Sequence, residues 1–219
     1  SWQGPAKLTS SFAWQPKQKP TAKLALTFAP GQISLTQPNH QVAKVNYQQI
    51  ALNADLDAKK LNAAIKVDTD NLADLNGHIS VNVTPDRALS GELSLTQVSL
   101  LTIKQFIPQL ETLDGKLSGD IKLGGSLMSP QASGAINLEK GKLSASANPT
   151  LVKDINLALN FSGQRATILG ALTMGKGQAK IDGGFSWLDN KLIANIKVKG
   201  DNLTVIQPPM AIVQVSPNV

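Results

Sequence analysis

Aliphatic residues recur at every second position along most of the chain, and no other feature restricts its fold so strongly. Leu24, Leu26 and Phe28 alternate with Ala25 and Thr27, and Leu61, Ala63, Ile65 and Val67 with Asn62, Ala64, Lys66 and Asp68. Ile79, Val81 and Val83 alternate with His78, Ser80 and Asn82, and Leu157, Leu159 and Phe161 with Asn156, Ala158 and Asn160. Leu192, Ala194, Ile196 and Val198 continue the pattern, and Leu117, Ile121 and Leu123 share a phase with Gly115 and Gly119. Side chains along a strand project alternately to opposite faces, so each segment is apolar on one side and polar on the other. A sheet with one wetted face is expected to be antiparallel. Turn formers separate the segments at Ala29-Pro30-Gly31, Thr84-Pro85-Asp86, Gly124-Gly125-Ser126, Glu139-Lys140-Gly141, Gly175-Lys176-Gly177 and Leu188-Asp189-Asn190. Their spacing predicts about a dozen strands, mostly joined as hairpins in a meander.

Composition agrees with a sheet and narrows its chemistry. Aromatics are 4% of the chain, so the apolar face is aliphatic. Charged residues are 16%, below the roughly 25% of ordinary soluble domains, and Ser, Thr, Asn and Gln fill the polar positions instead. Exposed helices usually carry more Glu and Lys than this. The net charge of +6 comes from scattered lysines such as Lys116, Lys122, Lys140 and Lys142. No basic run interleaves with aromatics, so no nucleic-acid partner is expected. Absence of cysteine excludes disulfides and thiolate metal sites. No apolar run reaches the ~18 residues that a membrane-spanning helix needs. Ser1 at one end and the strand-like Ala211–Val215 at the other suggest a segment of a longer chain, 1–219 forming one elongated unit.

One stretch breaks the alternation. Leu100, Ile103, Phe106, Ile107 and Leu110 recur at three- and four-residue spacing, which predicts one short helix near 100–112, interrupted by Pro108 and bounded by Asp114-Gly115. Short Gly-led strands also repeat: Leu75-Asn76-Gly77 and Leu89-Ser90-Gly91, then Leu113-Asp114-Gly115 and Ala132-Ser133-Gly134, each followed by alternating residues. Such repetition predicts a structure extended by adding similar hairpins, with glycines permitting the bend of a curled sheet.

No catalytic constellation emerges, and no enzyme activity, cofactor or metal is expected. His40 falls in a predicted loop and His78 on the polar side of a strand, without ligand spacing. Asp68-Thr69-Asp70-Asn71 lacks the glycine and the closing glutamate of a calcium loop. Gly175-Lys176-Gly177 sits between strands, with no helix N-terminus to receive a phosphate.

An apolar sheet face must be covered, by a second sheet, by lipid outside a barrel, or by a ligand held in an incompletely closed sheet. A membrane barrel would carry aromatic girdles, and the chain has five Phe, three Trp and one Tyr. The segments Leu113 to Gly125 and Pro130 to Gly141, with Phe106 to Gly115 and Ala211 to Pro217, resemble the repeat of the TamB family, the large subunits of translocation and assembly modules. Their style is shared by the wider AsmA-like, bridge-like lipid-transfer group, and the match is placed in the C-terminal third of such a protein. The resemblance implies an all-β fold, a long curled antiparallel sheet (a β-taco) with a hydrophobic concave groove. It also implies a periplasmic segment of a protein anchored in the bacterial inner membrane, paired through regions outside this segment with a TamA-like outer-membrane barrel. The implied roles are phospholipid transport between the membranes and support of outer-membrane protein and autotransporter assembly.

On that reading the groove is lined by Leu24, Leu26, Phe28, Ile65, Val67, Ile79, Val81, Val83, Leu93, Leu95, Leu117, Ile121, Leu123, Ile136, Leu138, Leu157, Leu159, Phe161, Ile181, Phe185, Leu192, Ile196 and Val198. Its occupants would be phospholipid acyl chains or apolar polypeptide segments. Shielding a methylene from water is worth about 0.8 kcal/mol without any directional bond, which suits a chain that slides. The alternative is a chaperone-like surface that receives unfolded outer-membrane strands by edge pairing.

Overall fold

Alternation becomes strand nearly throughout the computed structural model, which describes residues 2–36, 42–70, 73–104, 107, 109–188, 191–207 and 211–215. The first strands are β1 (Trp2–Gln3), β2 (Ala6–Ala13), β3 (Thr21–Phe28), β4 (Gly31–Thr36), β5 (Val42–Leu56), β6 (Lys60–Thr69), β7 (Ala73–Asn82) and β8 (Leu89–Ser99). A single turn of helix, α1 (Leu101–Lys104), leads to β9 (Leu110–Ser126), β10 (Ser129–Ala145), β11 (Asn148–Gly163) and β12 (Arg165–Met174). The chain continues through β13 (Gly177–Leu188), β14 (Lys191–Asp201), β15 (Leu203–Gln207) and β16 (Ala211–Val215).

β1 to β14 form one 14-stranded antiparallel sheet, and β15 and β16 form a separate hairpin. From β5 to β14 the spatial order is the chain order, so the body of the sheet is the expected meander. At its start β5 has two partners on one side. Its residues Ile50–Leu56 pair with β3, and Val42–Tyr47 pair with β4. The sheet does not close into a barrel: β2 at one end pairs with β3, and β14 at the other pairs with β13.

Three expectations change. The helix near 100–112 shrinks to α1, because Leu110–Ser126 is strand and Asp114-Gly115 lies inside it. Successive turns, with Ile103 and Lys104 N–H donating to Leu100 O and Ile107 N–H to Lys104 O, reproduce the three- and four-residue spacing without a continuing helix. Phe106 and Pro108 lie outside the described residues. Glu139-Lys140-Gly141 is not a turn but a bulge within β10, where the register slips between Glu139 and Lys142. Gly124-Gly125-Ser126 ends β9, and the hairpin tip falls two residues later, since Ser126 pairs with Ser129. Of the other sites named above, His40, Asn71 and Asp189-Asn190 lie outside the described residues.

The bulges are aligned. Gln97 in β8, Lys140 in β10 and Asp154 in β11 have φ of 51°, 53° and 52°, and each sits at a register shift. All three flank the row Val98–Leu117–Leu138–Leu157. A bulge bends its strand and adds twist, so this line folds the longest strands across their middle.

Little of the molecule is a closed core. Among the described residues the buried apolar side chains are Tyr47, Ala51, Leu89, Val98, Ile121, Ala132, Ala166, Ala179 and Leu203. Tyr47 is the largest, and its hydroxyl lies where side chains on Gly4 and Gly31 would otherwise stand. Most aliphatic residues of the sheet are only half-buried.

Candidate functional site

Directly opposed residues of an antiparallel pair share a face, so the register converts the alternation into rows that run across the strands. One row reads Leu8, Leu26, Leu52, Ile65, Gly77, Leu93, Ile121, Gly134, Phe161, Ala166, Phe185, Ala194. Its neighbour reads Ala6, Phe28, Ile50, Val67, Leu75, Leu95, Gly119, Ile136, Leu159, Ile168, Gly183, Ile196. Neither row contains a polar side chain from β2 to β14. Each crosses eleven strand gaps, about 50 Å at the usual spacing, which exceeds the ~30 Å hydrocarbon core of a bilayer.

The other face is mostly polar, with Leu169 and Ile193 among its exposed apolar side chains. Ser11, Lys23, Asp55, Asn62, Ser80 and Ser90 form one of its rows. His78 stands there opposite Glu92, and Glu92 opposite Lys122. The ion pairs on this side, Lys23–Asp55 at 3.4 Å and Lys122–Glu92 at 3.9 Å, are solvent-exposed and contribute little. Among the described residues, the displaced titrations of Asp57 and Asp86 lie in turns. Two backbone N–H groups, of Lys59 and Lys60, hold the Asp57 carboxyl below its ordinary value, and the Thr84 hydroxyl does the same for Asp86.

The register places all but one of the residues expected to line a groove on the apolar face. Leu24, Ile79 and Leu123 form a third row with Ala54, Ala63, Gly91 and Ala132, and Val81 belongs to a fourth with Leu56, Leu61 and Leu89. Leu117, Leu138, Leu157, Ile181 and Val198 form a fifth. Val83 is the exception. It follows β7 in an exposed turn, where its N–H donates to Lys59 O and Pro85 ends the extended backbone. Sequence reasoning missed Leu8, Phe12, Ile50, Leu52, Leu75, Ile168 and Trp187. The alternation of Ile50, Leu52 and Leu56 was the signal for β5.

Openness varies along the face. From β3 to β7 part of the apolar face is exposed, Leu52 at 41%, Ile65 at 39% and Ile79 at 37%, while Leu26, Phe28, Ile50 and Val67 are half-buried. Leu52, Ile65, Ile79, Leu93 and Leu123 line a shallow depression of about 330 Å³ there. Over β11 to β13 the face is flanked at both strand ends, with Leu159 and Ile168 half-buried between them. At one end Phe161, Phe185 and Trp187 pack ring against ring, with centroids 6.4 Å, 6.4 Å and 5.9 Å apart. The Trp187 indole N–H donates to Pro130 O at 2.7 Å, tying β13 to β10. At the other end β15 lies against β11, β12 and β13, and Leu203 is buried beside Ala179 and Gly200.

Comparison with known proteins gives one consistent direction. The family model described as "TamB, N-terminal domain" matches residues 1–138. The translocation and assembly module subunit TamB of Haemophilus influenzae is 23% identical over 183 residues, covering 83% of this chain and 14% of that protein. The chain thus spans about one seventh of the length of that curated relative. No solved structure matches. The family is the one the repeat motifs resemble, whereas the region differs: the matching description is of an N-terminal domain, not the C-terminal third. Hairpin repeats of common residues carry family style more strongly than position within the family.

Proposed function

The chain belongs to the TamB family, and from that premise we propose that it is a non-catalytic segment of a translocation and assembly module subunit whose apolar face conducts phospholipid acyl chains. The observation that carries this reading is the pair of unbroken apolar rows crossing twelve strands, left open to solvent over β3 to β7. A face of this length is costly to leave wet, and neither long row offers a polar group to fix a ligand's position. It is therefore suited to a long apolar molecule that moves along it. In the envelope the segment would lie in the periplasm as part of an inner-membrane-anchored β-taco, with a TamA-like barrel as the outer-membrane partner of the whole protein. Outer-membrane protein and autotransporter assembly would follow from supplying lipid to the membrane in which those proteins insert.

A second reading is favoured by a separate observation. The outer strands β2 and β14 are exposed along most of their length, and β14 carries Leu192, Ile193 and Ile196 at its open edge. Such an edge could receive an unfolded outer-membrane strand by hydrogen-bonded addition. Photo-crosslinking amino acids at Leu52 and Ile65 on the face and at Ile193 on the edge separate the two. Lipid adducts concentrated at Leu52 and Ile65 are expected. Polypeptide adducts at Ile193, with none to lipid on the face, would overturn the conduit in favour of the edge.

A further inference from the structure

We propose that the aromatic bridge over β11 to β13 controls passage along the row Phe161–Ala166–Phe185, with Trp187 as the gating residue that releases Pro130 when an acyl chain crosses there. This rests on the conduit reading above. The lane through β3 to β7 is open, so an acyl chain can lie on Leu52 and Ile65 without displacing anything. At β11 to β13 the same row reads Phe161, Ala166, Phe185. Residues two strands apart stand about 10 Å from each other on a flat sheet. Here the two rings come to 6.4 Å, edge to face, and Ala166 beneath them is only 3% exposed. The rings fill the space that the lane leaves empty elsewhere.

Trp187 completes the bridge and gives it direction. Its ring lies against both phenylalanines, and its N–H bonds to a carbonyl three strands away. Three strands span about 14 Å when flat, so this bond also records how tightly the sheet curls at that place. Aliphatic contacts slide, but a hydrogen bond is made or broken. The opposite end of the same strands is independently covered by β15 and Leu203. On the aromatic side that row therefore opens by losing one bond and swinging one indole.

The test uses the chain with Trp2→Phe and Trp14→Phe, which leaves Trp187 as its single indole. The protein is loaded from phosphatidylethanolamine–phosphatidylglycerol vesicles with brominated acyl chains, and native mass spectrometry counts the bound lipid. Loading is expected to quench Trp187 emission and to speed exchange of its indole N–H by about tenfold, as loss of one ordinary hydrogen bond would. Trp187→Ala should speed lipid transfer to acceptor vesicles. Trp187→Phe, which keeps a ring and removes the donor, should fall between Trp187→Ala and the native residue. Lipid bound with Trp187 emission and exchange unchanged overturns the gate and leaves the conduit standing. No lipid bound by any variant overturns both.

Discussion

Two isoleucines of one row are expected to respond in opposite ways to the same substitution. Ile121 is 7% exposed between Leu93 and Gly134, whereas Ile65 is 39% exposed between Leu52 and Gly77. Ile121→Arg buries a charge with no partner, which costs several kcal/mol, and circular dichroism should show loss of the cooperative melt. Ile65→Arg can turn its guanidinium into solvent, so the melt should shift little while lipid capture by native mass spectrometry is lost. Equal unfolding of both variants would mean the face is a closed core. Alternation sufficed to place both residues on this face, because a period of two is a property of the strand alone. It could not grade their burial, which depends on register. Register decides, for example, that Gly134 stands between Ile121 and Phe161. At Gly134, with φ of 118°, any side chain would meet the Asp120 carbonyl of the next strand, so glycine there sets how closely β9 and β10 approach.

At the level of elements, the hairpins were legible and the bulges were not. The β5–β6 turn is held by Asp57, whose Oδ1 accepts from Lys59 N–H at 2.6 Å and Lys60 N–H at 2.7 Å. Its carboxyl is held below its ordinary value of 3.8 by those backbone bonds. A depressed folded value means the stabilisation is present above the carboxylate range and disappears as pH falls through that folded value. Asp57→Ala should therefore speed amide exchange in the β5–β6 hairpin at neutral pH, and the difference from the native chain should vanish in strong acid. A difference independent of pH would show that the turn owes nothing to the charge. Glu139-Lys140-Gly141 carries the same kind of residues as a turn yet becomes a bulge, because β9 and β11 pair with β10 on both sides of it. Local chemistry asks for a left-handed residue in either case, and only the neighbouring strands decide whether the chain reverses. The aromatic bridge was hidden for a related reason. Phe161, Phe185 and Trp187 are three of nine aromatics in the chain (five Phe, three Trp, one Tyr), and their phases are readable, but their meeting across β12 depends on the register through Ala166.

For the molecule as a whole, a sheet with one apolar face and, among the described residues, no second layer over β3 to β7 has a definite thermodynamic consequence. Folding leaves aliphatic surface half-exposed that a sandwich would bury, so stability remains to be gained from whatever covers the face. An acyl chain that binds this face and not the unfolded chain stabilises by about 2.7 kcal/mol at a hundredfold excess over its Kd. For a chain of this size that corresponds to a rise in Tm of about 5–10 °C. Monomeric short-chain phosphatidylcholine should produce such a rise in a thermal melt, growing with acyl length because each added methylene finds more of the same lane. Ile65→Arg should abolish the dependence on acyl length. A polar headgroup analogue without acyl chains should leave Tm unchanged, since neither long row offers it a polar partner. A Tm indifferent to every lipid would mean that the face is already satisfied by the protein itself, and the conduit would fall with it.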